Sequence, residues 1–180
     1  MPAHDLPQVP AALEGPIVLG IDPGTLVVGY GAVILRPEGV KLLAAGAIRA
    51  SRSQEVPARL GLIRREIDTV LSRLRPAVVV VEHAYSAANV QSALRIGEGR
   101  GVALSAAAAF GADVVQYQAS QAKKTLVGVG SADKERVAKM VATELGLAAA
   151  PEPLDASDAL ALALTWVHRQ RIEKHLGTTS

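Results

Sequence analysis

Several residue types are scarce in this sequence, and each scarcity removes a class of function. The chain contains no cysteine, which excludes disulfides, thiolate metal ligands and cysteine nucleophiles. Only 3% of the residues are aromatic, so the core has to be packed mainly from Ala, Val and Leu. Apolar runs such as residues 77–81 are far too short to span a bilayer, and the first residues lack the features of a signal peptide. We therefore expect a cytoplasmic protein whose chemistry relies on carboxylates, histidines, lysines or hydroxyls.

Charge of neither sign dominates, because 19 Lys and Arg residues face 17 Asp and Glu residues for a net charge of +2. This balance permits nucleic-acid binding but does not indicate it. Two stretches carry a local excess of positive charge: residues 120–140 hold five basic and two acidic residues, and residues 168–174 hold three basic residues and one acidic residue. A solvated helix surface is the simpler interpretation of both stretches.

The chain has 180 residues, 49% of them hydrophobic, and its pattern of apolar residues predicts one α/β domain. Residues 17–21, 27–35 and 41–49 are separated by turn signals and predict three antiparallel strands. Helices and strands then alternate, which predicts a mixed sheet with helices on its faces. The predicted helices cover residues 57–75, 88–109, 120–127, 132–145 and 155–168, and the later strands cover residues 77–81 and 113–117.

The two ends of the chain are predicted to lie outside this domain. Residues 1–16 contain four prolines and no apolar periodicity, which predicts a disordered N-terminal extension. We expect the folded domain to span residues 17–170 and to be followed by a flexible tail over residues 171–180.

Four carboxylates stand at positions where the predicted structure can bring them together. Asp22 closes the first strand, Glu82 ends a run of four valines, and Asp155 and Asp158 open the last helix on one face. If that helix begins near the two strand ends, all four converge on one cleft. Clustered carboxylates need a cation, and an all-oxygen set selects Mg²⁺ or Mn²⁺. Two such ions about 3.5–4 Å apart hydrolyse phosphodiesters.

Each carboxylate also has a simpler interpretation. An Asp before Pro-Gly is ordinary turn chemistry, which accounts for Asp22. Glu82 at a strand end can simply reach solvent. For Asp155 and Asp158, helix capping is the better explanation when the pair is considered alone. Spacing alone cannot bring distant residues together.

Five collinear motifs carry a resemblance to a known family. In chain order they are GIDPGT at 20–25 with Gly29-Tyr30-Gly31; Val81-Glu82 with Asn89 and Ser92-Ala93-Leu94; Gly99-Arg100-Gly101-Val102; KKTLVG at 123–128 with GSADK at 130–134; and DASDALA at 155–161. A single one of these motifs would be weak evidence for a family. Five in this order, from about residue 17 to residue 168, closely resemble the RuvC family of bacterial Holliday-junction resolvases.

The resemblance implies an RNase H-like fold with a mixed five-stranded sheet, three antiparallel strands followed by parallel ones. It implies a homodimer that nicks two opposed strands of a four-way DNA junction with two Mg²⁺ or Mn²⁺ ions per active site. Carried over by position, it makes Asp22, Glu82, Asp155 and Asp158 the catalytic acids and metal ligands. Some relatives have His where this chain has Asp155, so the all-carboxylate version applies here.

The resemblance also assigns DNA-binding residues. Tyr85 sits where relatives often carry an aromatic ring that stacks near the crossover, and a partly buried strand-end tyrosine is the alternative. Lys123 and Lys134 match lysines that contact phosphate near the cut, and helix-surface solubility is their alternative. His83 follows Glu82 where many relatives have Gln, and no role is assigned to it. By resemblance alone, the branch-migration proteins RuvA and RuvB are partners.

Three glycines, Gly97, Gly99 and Gly101, interrupt the predicted helix over residues 88–109, where each costs roughly 1 kcal/mol relative to Ala. A close backbone approach by the sheet, a partner subunit or DNA would offset that cost, and packing on the sheet is the simplest of these. The family places dimer contacts on this helix.

Two other functions compete with the resolvase interpretation. GIDPGT also resembles the phosphate loop of sugar kinases and actin-type ATPases, which need two domains that 180 residues do not provide. A non-catalytic junction-binding module of the same fold is the second rival. Four retained acids disfavour it, because a binding module has no use for carboxylates that repel phosphate.

Overall fold

Five strands form one mixed sheet in the order β3-β2-β1-β4-β5 in this computed structural model, which describes residues 6, 8–9, 15–83 and 90–177. The strands are β1 (Ile17–Asp22), β2 (Val27–Arg36), β3 (Gly39–Arg49), β4 (Val78–Glu82) and β5 (Asp113–Tyr117). β1, β2 and β3 pair antiparallel, whereas β4 runs parallel to β1 and β5 parallel to β4. The predicted mixed sheet is therefore confirmed.

Five helices in the described residues cover the two faces of this sheet: α1 (Val56–Leu74), α2 (Val90–Phe110), α3 (Ala119–Val127), α4 (Lys134–Leu145) and α5 (Leu154–His175). Side chains alternate between the faces along each strand. Those of one face pack with α1 and α2, and those of the other pack with α3, α4 and α5. No helix in the described part of the chain has both the length and the apolar character needed to cross a membrane.

Helix α5 lies directly on the strand backbones because the sheet beneath it carries glycine. Gly20 of β1 is paired with Gly31 of β2. A Cβ atom at Gly20 would stand 1.8 Å from the carbonyl oxygen of Ala159, and one at Gly29 would stand 2.1 Å from that of Asp155. Real Cβ atoms essentially never come so close, so glycine at these positions is what allows α5 to pack this closely on the strands.

The structure differs from the predictions at both ends of the chain. Leu6 and Val9 are buried in the core cluster below α1, although residues 1–16 were expected to be disordered. The backbone N–H of Val9 donates to the carbonyl of Arg73, and the Arg73 guanidinium donates to the carbonyl of Leu6. Two isolated apolar side chains form no periodic pattern, which is why the sequence did not indicate this packing. At the other end, α5 continues to His175, into the segment that was predicted to be a flexible tail.

Candidate active site

Two of the predicted acids lie side by side at the ends of neighbouring strands. Asp22 is the last residue of β1 and Glu82 the last of β4, and these strands pair in parallel with Ile21 opposite Val81. Both acids alternate onto the face that α5 covers, two residues beyond Gly20 and Val80 respectively. Their side chains share a hydrogen bond. The sheet topology thus brings together two residues 60 positions apart in the sequence.

Helix α5 contributes Asp158 to the same place. Asp22, Glu82 and Asp158 line one cavity of about 200 Å³, together with Lys123 and Lys134. The predicted convergence of strand ends and helix start therefore holds for these three acids.

The fourth acid, Asp155, does not line that cavity. Its backbone carbonyl rests over Gly29, and its carboxylate is still near enough to raise the pKa of Lys134 by its charge. The structure therefore places Asp155 beside the cavity rather than in its wall.

Asp155 does not cap α5, so the capping explanation is wrong for it. The residue before the first helical turn is Pro153, and no side chain makes a capping hydrogen bond there. The hydroxyl of Ser157 instead donates to the carbonyl of Pro151 at 2.8 Å and ties the helix start to the preceding loop. The helix begins at Leu154, one residue before the predicted start at Asp155, so Asp155 lies inside the first turn and not at the cap position.

The electrostatics of the cavity show that it carries an excess of negative charge. Burial, followed by the charges of Glu82 and Asp158, raises the pKa of Asp22 to about 8. The pKa of Glu82 is raised by burial first, and then by the charge of Asp158. Its hydrogen bond with Asp22 and the two lysines act in the opposite direction. Close carboxylates in a buried cavity cannot all be ionised without a compensating cation.

Both predicted lysines reach this cavity, and each has a defined partner. The ammonium group of Lys134 donates to Oδ2 of Asp158 at 2.5 Å, and that of Lys123 donates to the carbonyl of Ala132 at 2.6 Å. Burial tends to lower the pKa of Lys134, but its hydrogen bond with Asp158 and the surrounding carboxylates outweigh burial and raise it. Both lysines thus lie beside the acids, and the phosphate contacts that the resemblance implies for them stay a prediction.

The donor set fits a hard divalent cation. Asp22, Glu82 and Asp158 offer only carboxylate oxygens, the ligands that Mg²⁺ and Mn²⁺ prefer. Among the residues that the structure describes, no three such side chains already surround one common position. The shared hydrogen bond of Asp22 and Glu82 and the ion pair of Asp158 with Lys134 take up their oxygens instead. A cation that displaces these contacts would meet a chemically suitable set.

Two remaining candidates have different outcomes. Tyr85 lies outside the described residues, so its stacking role stays a prediction. The backbone N–H of His83 donates to the carbonyl of Tyr117 at 2.8 Å and extends the pairing of β4 with β5, and His83 does not line the cavity.

The three glycines of α2 face different surroundings. A Cβ at Gly99 would stand 2.6 Å from the carbonyl oxygen of Gly24, so this glycine lets α2 touch the loop that follows Asp22. Nothing lies within 4 Å of a Cβ at Gly97 or Gly101. The close approach is therefore made to a loop beside the site, rather than to the strands of the sheet.

The strand glycines act on the site in a way that the sequence motifs did not predict. Gly20, Gly29 and Gly31 appeared only within motifs, yet they set the depth at which α5 sits and hence where its acids lie. Their spacing carries the signal, because glycines at alternate positions of paired strands share one face and leave a groove for a helix.

The chain is similar in sequence to proteins of one family. The family model described as crossover junction endodeoxyribonuclease RuvC matches residues 18–166. The protein of that name from Cronobacter sakazakii is 42% identical over 152 residues, covering 84% of this chain and 87% of its own length.

Solved structures give the same result. The Thermus thermophilus RuvC structure superposes with a TM-score of 0.78 at 37% identity, covering 87% of this chain and 96% of its own. That protein in complex with a Holliday junction substrate also has a TM-score of 0.78, at 34% identity over 91% of this chain and 97% of its own. The yeast mitochondrial Holliday junction resolvase Ydc2, at 13% identity and a TM-score of 0.67, shares the fold over 96% of this chain and 84% of its own. The predicted RNase H-like fold is confirmed, and the chain belongs to the RuvC family of crossover junction endodeoxyribonucleases.

Proposed function

We propose that this protein is a structure-selective DNA endonuclease that resolves Holliday junctions by paired symmetric nicks in recombination and DNA repair. The observation that carries this proposal is the cavity in which three carboxylates meet two lysines at the ends of β1 and β4. Its relatives are crossover junction endodeoxyribonucleases, and one solved relative is bound to a Holliday junction. We expect the protein to act in the cytoplasm, where bacterial DNA lies.

In this proposal Asp22, Glu82, Asp155 and Asp158 hold two Mg²⁺ or Mn²⁺ ions, which when bound activate water and stabilise the leaving oxygen of a phosphodiester. Asp22 and Glu82 have to release the proton of their shared hydrogen bond before both can act as ligands. Asp155 contributes from beside the cavity. The cluster of buried carboxylates supports this assignment, because it needs added positive charge to ionise fully.

The two lysines are proposed to hold DNA phosphate. Lys123 lines the cavity while the carbonyl of Ala132 fixes its ammonium group, which leaves donors on that group for a phosphate oxygen. Lys134 stands at the first position of α4 with its side chain about half exposed, within reach of a strand that enters the cavity. Tyr85 is proposed to stack on a base near the crossover.

Symmetric cutting calls for two sites related by a two-fold axis, so we propose a homodimer. Helix α2 supports this, because its outer surface combines Val90 (77% exposed) and Leu94 (59% exposed) with Gly97 and Gly101. Apolar side chains beside bare backbone are suited to close packing against a second copy. RuvA and RuvB are proposed partners through the family alone.

A nicking assay on a synthetic four-way junction tests the proposal, with Mg²⁺ and Mn²⁺ added separately and linear duplex as the comparison substrate. Wild type should produce paired symmetric nicks in the junction and leave the duplex intact. Asp22→Asn should lower the rate roughly 10²-fold or more, because it removes a ligand from the cavity. Asp113→Asn, at the exposed start of β5, is the matched control and should cut normally.

Other outcomes would redirect the assignment. Binding of the junction without nicks in either metal would point to a non-catalytic module. Cutting of linear duplex at the same rate would contradict selectivity for the junction. Full activity of Asp22→Asn would contradict the assignment of these acids as the catalytic site.

A further inference from the structure

The ammonium group of Lys134 lies in direct contact with one of the carboxylates proposed to hold metal. Its Nζ donates to Oδ2 of Asp158 at 2.5 Å, and the two residues come from different helices 24 positions apart. The side chain of Asp158 is 15% exposed and that of Lys134 is 54% exposed. The carboxylate is thus enclosed by the protein, whereas the lysine reaches it from solvent.

The backbone of Lys134 is held firmly by its helix, whereas its side chain is flexible. Lys134 is the first residue of α4, and Asp133 caps the helix by accepting the backbone N–H of Arg136 at 2.7 Å. Val137 and Val141 anchor the same helix in the core shared with α5. Only the flexible side chain of Lys134 therefore has to move for the ammonium group to leave Asp158.

This contact meets the electrostatic demand of the cavity with an internal cation. The ammonium group of Lys134 lies 2.5 Å from Oδ2 of Asp158, and both residues line the same cavity as Asp22 and Glu82. In the described residues, no three acidic or histidine side chains are arranged around one ion position, and the Lys134 contact takes up one oxygen of Asp158. A dication at this carboxylate would have to approach a positive charge already in contact with it.

We propose that Lys134 competes with a divalent ion for Asp158, so that the DNA-free protein loads its metal site only when this lysine moves away. This inference rests on the proposed function, and it concerns how loading of that site is controlled. Because the ion has to displace Lys134 from Asp158, it binds more weakly than it would bind to the carboxylates alone. The lysine in return keeps Asp158 paired and the cavity partly neutralised while the ion is absent.

Metal titration of the DNA-free full-length protein tests the competition. Calorimetry with Mn²⁺ should show roughly tenfold tighter binding of one ion to Lys134→Met than to wild type, which corresponds to about 1.4 kcal/mol. Lys139→Met, an exposed lysine on the same helix, is the matched control and should bind Mn²⁺ like wild type. The gain should disappear when Asp158→Asn is added to Lys134→Met, because both changes act on one contact.

A second measurement uses the unmodified protein and does not depend on how well the variant folds. An amine-reactive reagent followed by mass spectrometry should label Lys134 faster as Mg²⁺ is added, while the labelling of Lys139 stays constant. Equal Mn²⁺ affinity of wild type and Lys134→Met, or Lys134 labelling that is unchanged by Mg²⁺, would overturn the competition alone. Absence of metal binding in every variant would overturn the proposed metal site as well.

Discussion

The two faces of the sheet hold their helices in different ways. On the face of α1 and α2, β1 and β2 present large buried side chains, including Leu19, Ile21 and Tyr30. On the face of α5 the same two strands present Gly20, Gly29 and Gly31, and the helix backbone occupies the space where side chains would stand. One face therefore provides an ordinary core of side chains. The other provides a groove lined by glycines, in which α5 packs close enough to the strands to bring Asp158 to the strand ends. Side-chain size along two strands determines which face carries the site.

The largest effect at a fixed pH should come from filling the glycine groove under α5. Gly20→Ala would place a Cβ 1.8 Å from the Ala159 carbonyl oxygen, which only displacement of α5 can relieve. We expect a loss of about 3 kcal/mol in the free energy of unfolding, which lowers the melting temperature by roughly 6–12 °C. Thermal and urea denaturation measure both.

The matched control is the same substitution on the other face. Gly61 lies within α1, and a Cβ there would meet only the Arg65 guanidinium at an ordinary 3.6 Å. Gly61→Ala should stabilise the protein by roughly 0.5–1 kcal/mol through helix propensity. Equal changes in the free energy of unfolding for the two substitutions would show that the glycine groove is not what distinguishes the two faces.

The carboxylates that line the cavity beside the glycine groove predict an unusual dependence of stability on pH. Because the pKa of Asp22 is raised from 3.8 to about 8 in the folded protein, the folded state keeps a proton that the unfolded state releases between these values. The metal-free protein should therefore lose stability as pH rises from about 4 to about 8, by at most about 1.4 kcal/mol per pH unit for this one proton. Urea denaturation across that range measures the slope.

Asp22→Asn should flatten this slope and stabilise the metal-free protein at pH 8, because it removes a carboxyl group that burial and neighbouring acids penalise when it is ionised. A saturating divalent ion should flatten it in wild type by supplying the missing positive charge. A slope that is the same in wild type and Asp22→Asn would contradict the assignment to this carboxyl group.

The smallest effect should come from trimming the core below α1. Ile67 of α1 is buried in the core on the face of the sheet opposite the one that α5 covers. Ile67→Val should cost about 1 kcal/mol of stability and leave the nicking rate per folded molecule unchanged. A loss of nicking that exceeds the loss of folded protein would show that this face also positions the site.

Most element boundaries follow from local pattern. The run of four valines that forms β4 and the three- and four-residue apolar spacing of α1 are properties of adjacent residues, and both elements fall within two residues of their predicted bounds. The cavity acids Asp22, Glu82 and Asp158 were singled out from the sequence together with Asp155, because each stands where a strand ends or a helix begins, and their catalytic role stays a prediction. The resemblance to the RuvC family supplied Lys123 and Lys134.

The errors arise where a contact has no local signature. Leu6 and Val9 dock on the core as two separate side chains, which no periodicity can reveal. The alternative explanation of Asp155 as a helix cap fails because a helix start cannot be located from sequence to the nearest residue, and the structure begins α5 at Leu154. Whether its carboxylate enters the cavity depends on the rotation of α5, and that is set by the groove of glycines beneath it.

Local pattern thus decided the order of strands and helices, the class of fold and the identity of the acids, because periodicity, turns and residue chemistry lie within a few neighbouring positions. Tertiary packing alone decided that Asp22 and Glu82 share a hydrogen bond, that Asp155 stays beside the cavity and that Lys134 rests on Asp158. Each of these contacts joins residues from separate elements. Its geometry depends on how deeply one helix settles on the sheet, a distance that no single stretch of sequence contains.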